Sequence, residues 1–232
     1  MTSSVILIPA RYNSTRYPGK PLAMLDGVPM IKRVYDACVA SKIPTYVLTD
    51  DMRIFNLFGP RQCWIDQEKE YANGTERCAA AITDSNFIKY LGHYDNIINV
   101  QGDMPDVDVA MIQQVQWHLQ HYPVTTAFTE MPLNMQEDPN TVKMIKAGDQ
   151  ALWFGRGITG YGDWHLGIYG YRRNALEMYS TLKVTLEEDI EQLEQLRWLK
   201  NGWQIGCLSV QYNGVEINAP EDVDLWHKIN SQ

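Results

Sequence analysis

The chain has 232 residues, 45% hydrophobic and 21% charged, with a formal net charge of -8. That size and apolar fraction suit one globular domain over 1-232, and the acidic balance disfavours general binding to nucleic acid or to an acidic membrane. No apolar run reaches the ~20 residues that span a bilayer, and the N-terminal apolar stretch is short and lacks a basic flank, so the expectation is a cytoplasmic protein.

Val5-Ile6-Leu7-Ile8 reads as a buried first strand that breaks at Pro9. The loop that follows carries Arg11, Arg16, Gly19, Lys20 and small hydroxyls. Arginine offers a planar fork of donors, lysine a point charge, and glycine a close approach of backbone N–H groups to an anion. No Walker pattern is present. Three cations crowd the C-terminal end of a first strand, where open α/β sheets bind ligands, and this favours a phosphate site over a merely basic surface loop.

A helix is expected over about Pro29–Ala40, with Pro29 near its first turn, and then a strand at Tyr46-Val47-Leu48 ending in Thr49-Asp50-Asp51. Gly74-Thr75-Glu76-Arg77 opens another helix, whose free N–H groups and Thr75 could read a base or a phosphate; taken alone it is an ordinary capped helix. Ile97–Val100 is a further buried strand, closed by Gln101-Gly102-Asp103. A carboxylate at Asp103 can hold Mg²⁺ beside a triphosphate, or can simply cap the turn before Pro105. A helix over about Val107–His121 would leave His118 and His121 on the surface.

The second half is more mixed. Strands are expected at Thr125–Phe128, Val142–Ile145, Leu152–Phe154 and Gly167–Tyr171, with His165, Gly167 and Tyr169 sharing a face. Gly155-Arg156-Gly157-Ile158-Thr159-Gly160 matches a dinucleotide fingerprint, but no helix follows it, so it reads as a flexible loop. A charged helix is expected over about Leu186–Lys200, mostly a solvated acidic face, with Glu194-Gln195-Leu196-Arg197 interrupting its apolar stripe. Ile205–Leu208 is a late strand, and Pro220 opens a last helix. Cys38, Cys63, Cys78 and Cys207 are too scattered for a zinc or disulfide framework and read as core residues. The alternation implies an α/β fold with a mixed, mostly parallel sheet flanked by helices.

With these segments in order, the chain resembles the cytidylyltransferases that activate 3-deoxy-manno-octulosonate (Kdo), the CMP-Kdo synthetases. The resemblance runs from Ile8 to Asp222 and rests on Ile8–Arg11, Ser14-Thr15-Arg16, Pro18–Leu22, Gly74–Arg77, Asn99–Asp103, His165–Arg172, Leu193–Arg197 and Pro220-Glu221-Asp222. The first loop is common to wider nucleotidyltransferases; the His165 and Glu194 stretches are more specific to the Kdo group. The resemblance implies a Rossmann-like nucleotidyltransferase fold, a homodimer, Mg²⁺ as cofactor, and attack of a sugar acid's anomeric hydroxyl on the α-phosphate of CTP. It places Ala10, Arg11, Lys20, Gly74, Thr75 and Arg77 on the nucleotide, with Arg11 and Lys20 at the phosphates. Gln101, His165, Tyr169, Glu194 and Gln195 would line the sugar pocket, and Arg11, Lys20 and Asp103 would carry catalysis.

Two departures bear on function. Asn218 stands where the family has a second metal-binding aspartate, so it is the expected second ligand beside Asp103 but adds no charge; Glu216 or Asp222 could compensate. The segment between Arg156 and His165 is shorter than in the family, which opens the sugar side to 8-amino-Kdo or a sialic-acid-like acid as well as Kdo. A non-catalytic CTP-binding homologue is the remaining alternative.

Overall fold

The computed structural model describes residues 2–14 and 16–230; Thr15 of the first-loop motif lies outside them. Among the described residues, nine strands form one sheet, in the order β5 (Cys63–Ile65), β4 (Thr45–Thr49), β1 (Ser4–Ala10), β6 (Asn96–Val100), β10 (Asp163–Arg172), β7 (Val124–Thr129), β11 (Ile205–Ser209), β9 (Gln150–Gly155) and β8 (Lys143–Ala147). β10 and β9 run against the other seven strands. A two-residue hairpin, β2 (Met24–Leu25) and β3 (Val28–Pro29), lies apart from the sheet.

The helices are α1 (Met30–Ala40), α2 (Met52–Phe58), α3 (Gly74–Thr83), α4 (Ile88–Leu91), α5 (Val109–His118), α6 (Arg173–Tyr179), α7 (Leu186–Glu191), α8 (Gln195–Lys200) and α9 (Pro220–Asn230). β1 shows why both faces of the sheet are covered. Val5 and Leu7 enter one core with Cys78 and Ile82 of α3 and Leu176 of α6, while Ile6 and Ile8 enter the other with Val34 of α1 and Ile112 of α5. Continuous apolar strands with helices on each side are what a parallel sheet requires.

Several expectations need correction. β1 does not break at Pro9 but continues to Ala10, paired with Leu48 and Thr49 of β4. Its ladder with β6 ends at Leu7, so Pro9 sits where only one neighbour remains and its missing N–H is tolerated. The helix expected from about Pro29 begins at Met30, with Pro29 at its N-cap and so beside the first turn, as expected. The long helix expected over Leu186–Lys200 is two helices, separated by Gln192 at φ 54, a left-handed backbone. His118 is buried rather than on the surface: its Nδ1 lies 2.8 Å from Thr125 Oγ1, and burial pushes its pKa down. The acidic face is not wholly solvated either, because Glu188 is buried against Arg197. All four cysteines are buried and free, as expected. Among the described residues, no helix is long and apolar enough to cross a membrane.

Candidate active site

The cleft lies where the C-terminal ends of β1 and β6 meet the start of the antiparallel β10, and encloses about 600 Å³. Ala10, Arg11, Lys20, Gly74, Arg77, Gln101, Asp103, His165, Tyr169, Glu194, Gln195 and Asn218 all line it. Thr75 stands behind the wall. Its N–H donates to Glu194 Oε2 at 2.9 Å, and its hydroxyl lies 2.8 Å from the Tyr171 hydroxyl, so it positions Glu194 instead of facing a ligand.

One end of the cleft is basic. Gly19, at φ 74, begins a 3-10 turn that presents Lys20, and its α-carbon faces the Tyr12 ring, where a Cβ would come within 3.0 Å of the hydroxyl. Lys20 Nζ meets Asp103 Oδ2 at 2.7 Å. Arg11 is exposed and has no ion-pair partner among the described residues, which leaves its guanidinium available to an anion. Arg16 donates to Asn140 Oδ1 at 3.1 Å and to Asn218 Oδ1 at 3.2 Å.

β10 supplies the opposite wall. Its register against β7 slips between Leu166 and Tyr169, a bulge that frees the Gly167 backbone. The Gly167 carbonyl accepts from Gln101 N–H at 3.0 Å, and its N–H donates to Glu216 Oε1 at 3.2 Å. A Cβ at Gly167 would lie 3.0 Å from Gln101 Cδ, so the glycine lets the Gln101 side chain lie flat on the strand. The Thr126 hydroxyl donates to the Ile168 carbonyl at 2.8 Å and accepts from His165 Nε2 at 3.0 Å. His165 therefore carries its proton on Nε2 and offers Nδ1 as an acceptor. Burial first, and the Arg156 charge second, lower its pKa to about 3, so the ring stays neutral. Tyr169 stacks on Tyr171 with centroids 6.0 Å apart.

The break after α7 completes the site. It turns Glu194 and Gln195 into the cleft while Arg197, buried, grips Glu188 (Nε to Oε2 at 2.9 Å) and Glu76 (Nη1 to Oε1 at 2.9 Å). Glu194 Oε1 and Gln195 Nε2 are buried without protein partners, an acceptor and a donor ready for a polar ligand. Burial raises the Glu194 pKa to about 7 against the opposing hydrogen bonds from Thr75. The loop after β9 is anchored, not free at its start. Arg156 donates from its backbone to Glu191 Oε2 at 2.7 Å and from Nη1 to the Asn140 carbonyl at 2.6 Å.

Two polar residues of the site have no role among the sequence expectations: Arg156, which lines the cleft, and Asp50, which stands beside Arg77 behind the lining; Glu216, expected as one substitute for the missing aspartate, also lines it. The glycine-rich pattern around Arg156 carries no mark of a cleft residue. Asp50, which meets Arg77 Nη2 at 3.1 Å, follows a strand like many turn residues. Glu216 is held in the cleft because Val215 N–H bonds Asp106 and Ile217 N–H bonds the Asp103 carbonyl. Its pKa rises to about 7, chiefly through enclosure and then through repulsion by Asp103. The departure at Asn218 was the signal that pointed toward Glu216.

A protein-family model described as cytidylyltransferase matches residues 5–205. An 8-amino-3,8-dideoxy-manno-octulosonate cytidylyltransferase of Shewanella halifaxensis is 37% identical over 237 residues, covering 94% of each chain. The enzyme of the same name from Shewanella woodyi is likewise 37% identical with 94% coverage of both chains. A CMP:2-keto-3-deoxy-manno-octonic acid synthetase solved with CTP superposes with a TM-score of 0.86 at 30% identity, over 100% of this chain and 99% of that one. A 4-diphosphocytidyl-2C-methyl-D-erythritol synthase from Anaerococcus prevotii, at 12% identity and TM-score 0.65, shares the fold over 100% of this chain and 99% of its own.

Proposed function

The chain belongs to the cytidylyltransferase family, and on that premise we propose that it joins CTP to a 2-keto-3-deoxy sugar acid of the Kdo type, releasing pyrophosphate. The observation that carries this reading is the meeting of a basic phosphate loop, a strand-end carboxylate and two buried unpartnered polar groups in one cleft. In the proposed reaction the anomeric hydroxyl of the sugar acid attacks the α-phosphorus, and the bond to the β-phosphate oxygen breaks. Arg11 and Lys20 offset the charge that grows on pyrophosphate, since phosphoryl transfer depends on positioning and charge stabilisation. Gln101, His165 Nδ1, Tyr169, Glu194 and Gln195 orient the sugar acid.

Mg²⁺ fits this reading at Asp103. Among the described residues no three His, Cys, Asp or Glu side chains gather to hold a metal, and a single carboxylate beside phosphate oxygens is a common Mg²⁺ arrangement. When bound, the ion would withdraw charge from the phosphates and lower the pKa of the attacking hydroxyl. Asn218 is a weaker second ligand, because its amide oxygen already accepts from Arg16. Asp222 is committed as well, its Oδ2 accepting from the N–H groups of Asn218 and Ala219. A homodimer in the cytoplasm accompanies this reading.

The substrate we favour is 8-amino-3,8-dideoxy-manno-octulosonate, after the relatives that carry that name. The carboxylates of Glu191, Glu194 and Glu216 in the cleft suit an added ammonium group. The test is pyrophosphate release with Mg²⁺, CTP and a panel of Kdo, its 8-amino analogue and N-acetylneuraminate. Release with the 8-amino sugar acid is expected, falling on the order of a hundredfold in Asp103→Ala. Binding of CTP with no release for any acid would favour a non-catalytic homologue.

A further inference from the structure

Asp50 directly follows β4 and makes two bonds that join the first loop to α3, beside the cleft that Arg77 lines. Its Oδ2 lies 3.1 Å from Arg77 Nη2 on α3, and its Oδ1 accepts from the Tyr12 N–H at 3.0 Å in the first loop. Tyr12 is the keystone of that loop. Its carbonyl accepts from Ser14 N–H at 3.0 Å and from Gly19 N–H at 2.9 Å, directly before Lys20, and its ring lies 3.4 Å beneath the Arg53 guanidinium. Arg77 is 4% exposed, lines the cleft, and keeps Nη1 buried without a partner.

A buried guanidinium needs a counter-charge, and its leftover donor needs an acceptor. Cytosine offers acceptors at both N3 and O2, whereas uracil carries a proton on N3. A guanidinium held at a fixed angle therefore separates the two bases, because the wrong one leaves a buried N–H facing another N–H. We propose that Asp50 is a positioning residue that aims Arg77 at the acceptor edge of cytosine and ties that alignment to the phosphate loop. It rests on the reading of CTP as substrate.

The test is calorimetric binding of CTP and UTP to the full chain, together with steady-state kinetics. Asp50→Asn keeps an acceptor for Tyr12 N–H but removes the charge beside Arg77. It should weaken CTP binding about tenfold, change UTP binding little, and leave the KM for the sugar acid in place. Asp50→Ala also releases Tyr12 and should lower kcat further. In Arg77→Ala, adding Asp50→Asn should cost little more, since the pair acts as a unit. Equal weakening of CTP and UTP, or a lowered Tm with unchanged CTP binding, would overturn the proposal in favour of a structural role. So would wild-type protein that binds the two nucleotides alike. Wild-type protein that prefers CTP yet releases no pyrophosphate would sink the proposed reaction, and the binding comparison would still decide for or against Asp50.

Discussion

Glu194 and His165 both line the cleft as buried titratable groups pushed in opposite senses. Glu194 titrates near 7 in the fold against an ordinary 4.5. Between those values the native chain keeps a proton that the unfolded chain has released, so stability falls as pH rises from about 4.5 to about 7 and then levels. His165 titrates near 3 against an ordinary 6.5, so its contribution is present above about 6.5 and is lost as pH falls toward about 3. The two slopes oppose each other over the shared window. Glu194→Gln retains an acceptor for Thr75 N–H and removes only the first slope. The stability of this variant relative to wild type, read from urea midpoints, should rise steadily from about pH 5 to about pH 7. A constant difference across that range would contradict the assignment.

At the scale of elements, the break between α7 and α8 decides the shape of the sugar-side wall. The Arg197 guanidinium, 3% exposed, bridges Glu188 on α7 and Glu76 on α3 across this break. Arg197→Leu leaves Glu188 buried and uncompensated and should destabilise the protein by about 3–5 kcal/mol. The double variant with Glu188→Leu should recover much of that loss in the same denaturation measurement; no recovery would show that the pair does not act as a unit. This break also marks the limit of what the sequence could tell. The acidic run at 187–191 and the apolar residues Leu193 and Leu196 fit one continuous helix locally, whereas Arg197 pairs across the break with Glu188 and with Glu76 of α3, contacts that a helix pattern does not show. His118 departs from its expected surface position for a similar reason, since its partner Thr125 lies on the following strand, beyond the reach of a helix pattern. The strands around Val5, Val47 and Ile97 were legible because burial on both faces writes itself as an uninterrupted apolar run. Twelve of the thirteen site residues that the resemblance implies line one cleft, drawn from strand ends, loops, β10 and the first turns of α3 and α8. Asp50 and Arg156 gain their meaning only from neighbours distant in sequence, Arg77 for the first and Glu191 and Asn140 for the second.

The whole molecule divides its cleft between two kinds of support. The phosphate side hangs on loop residues 11–14 and 16–20, joined to the body through Tyr12, Lys20 and Arg16. The opposite side is built on β10, fifth of nine strands, with antiparallel partners on both flanks. Amide hydrogens leave a folded chain only through openings, and their clocks differ with the size of the opening required. Those of residues 168–171 should exchange with deuterium only when the entire sheet comes apart, hours behind the first-loop amides. Exchange followed by mass spectrometry would show it, and comparable rates in the two segments would contradict it. An arriving nucleotide should then slow the fast clock and leave the slow one untouched: one wall of this pocket is set before any substrate comes, and the other is finished by the substrate itself.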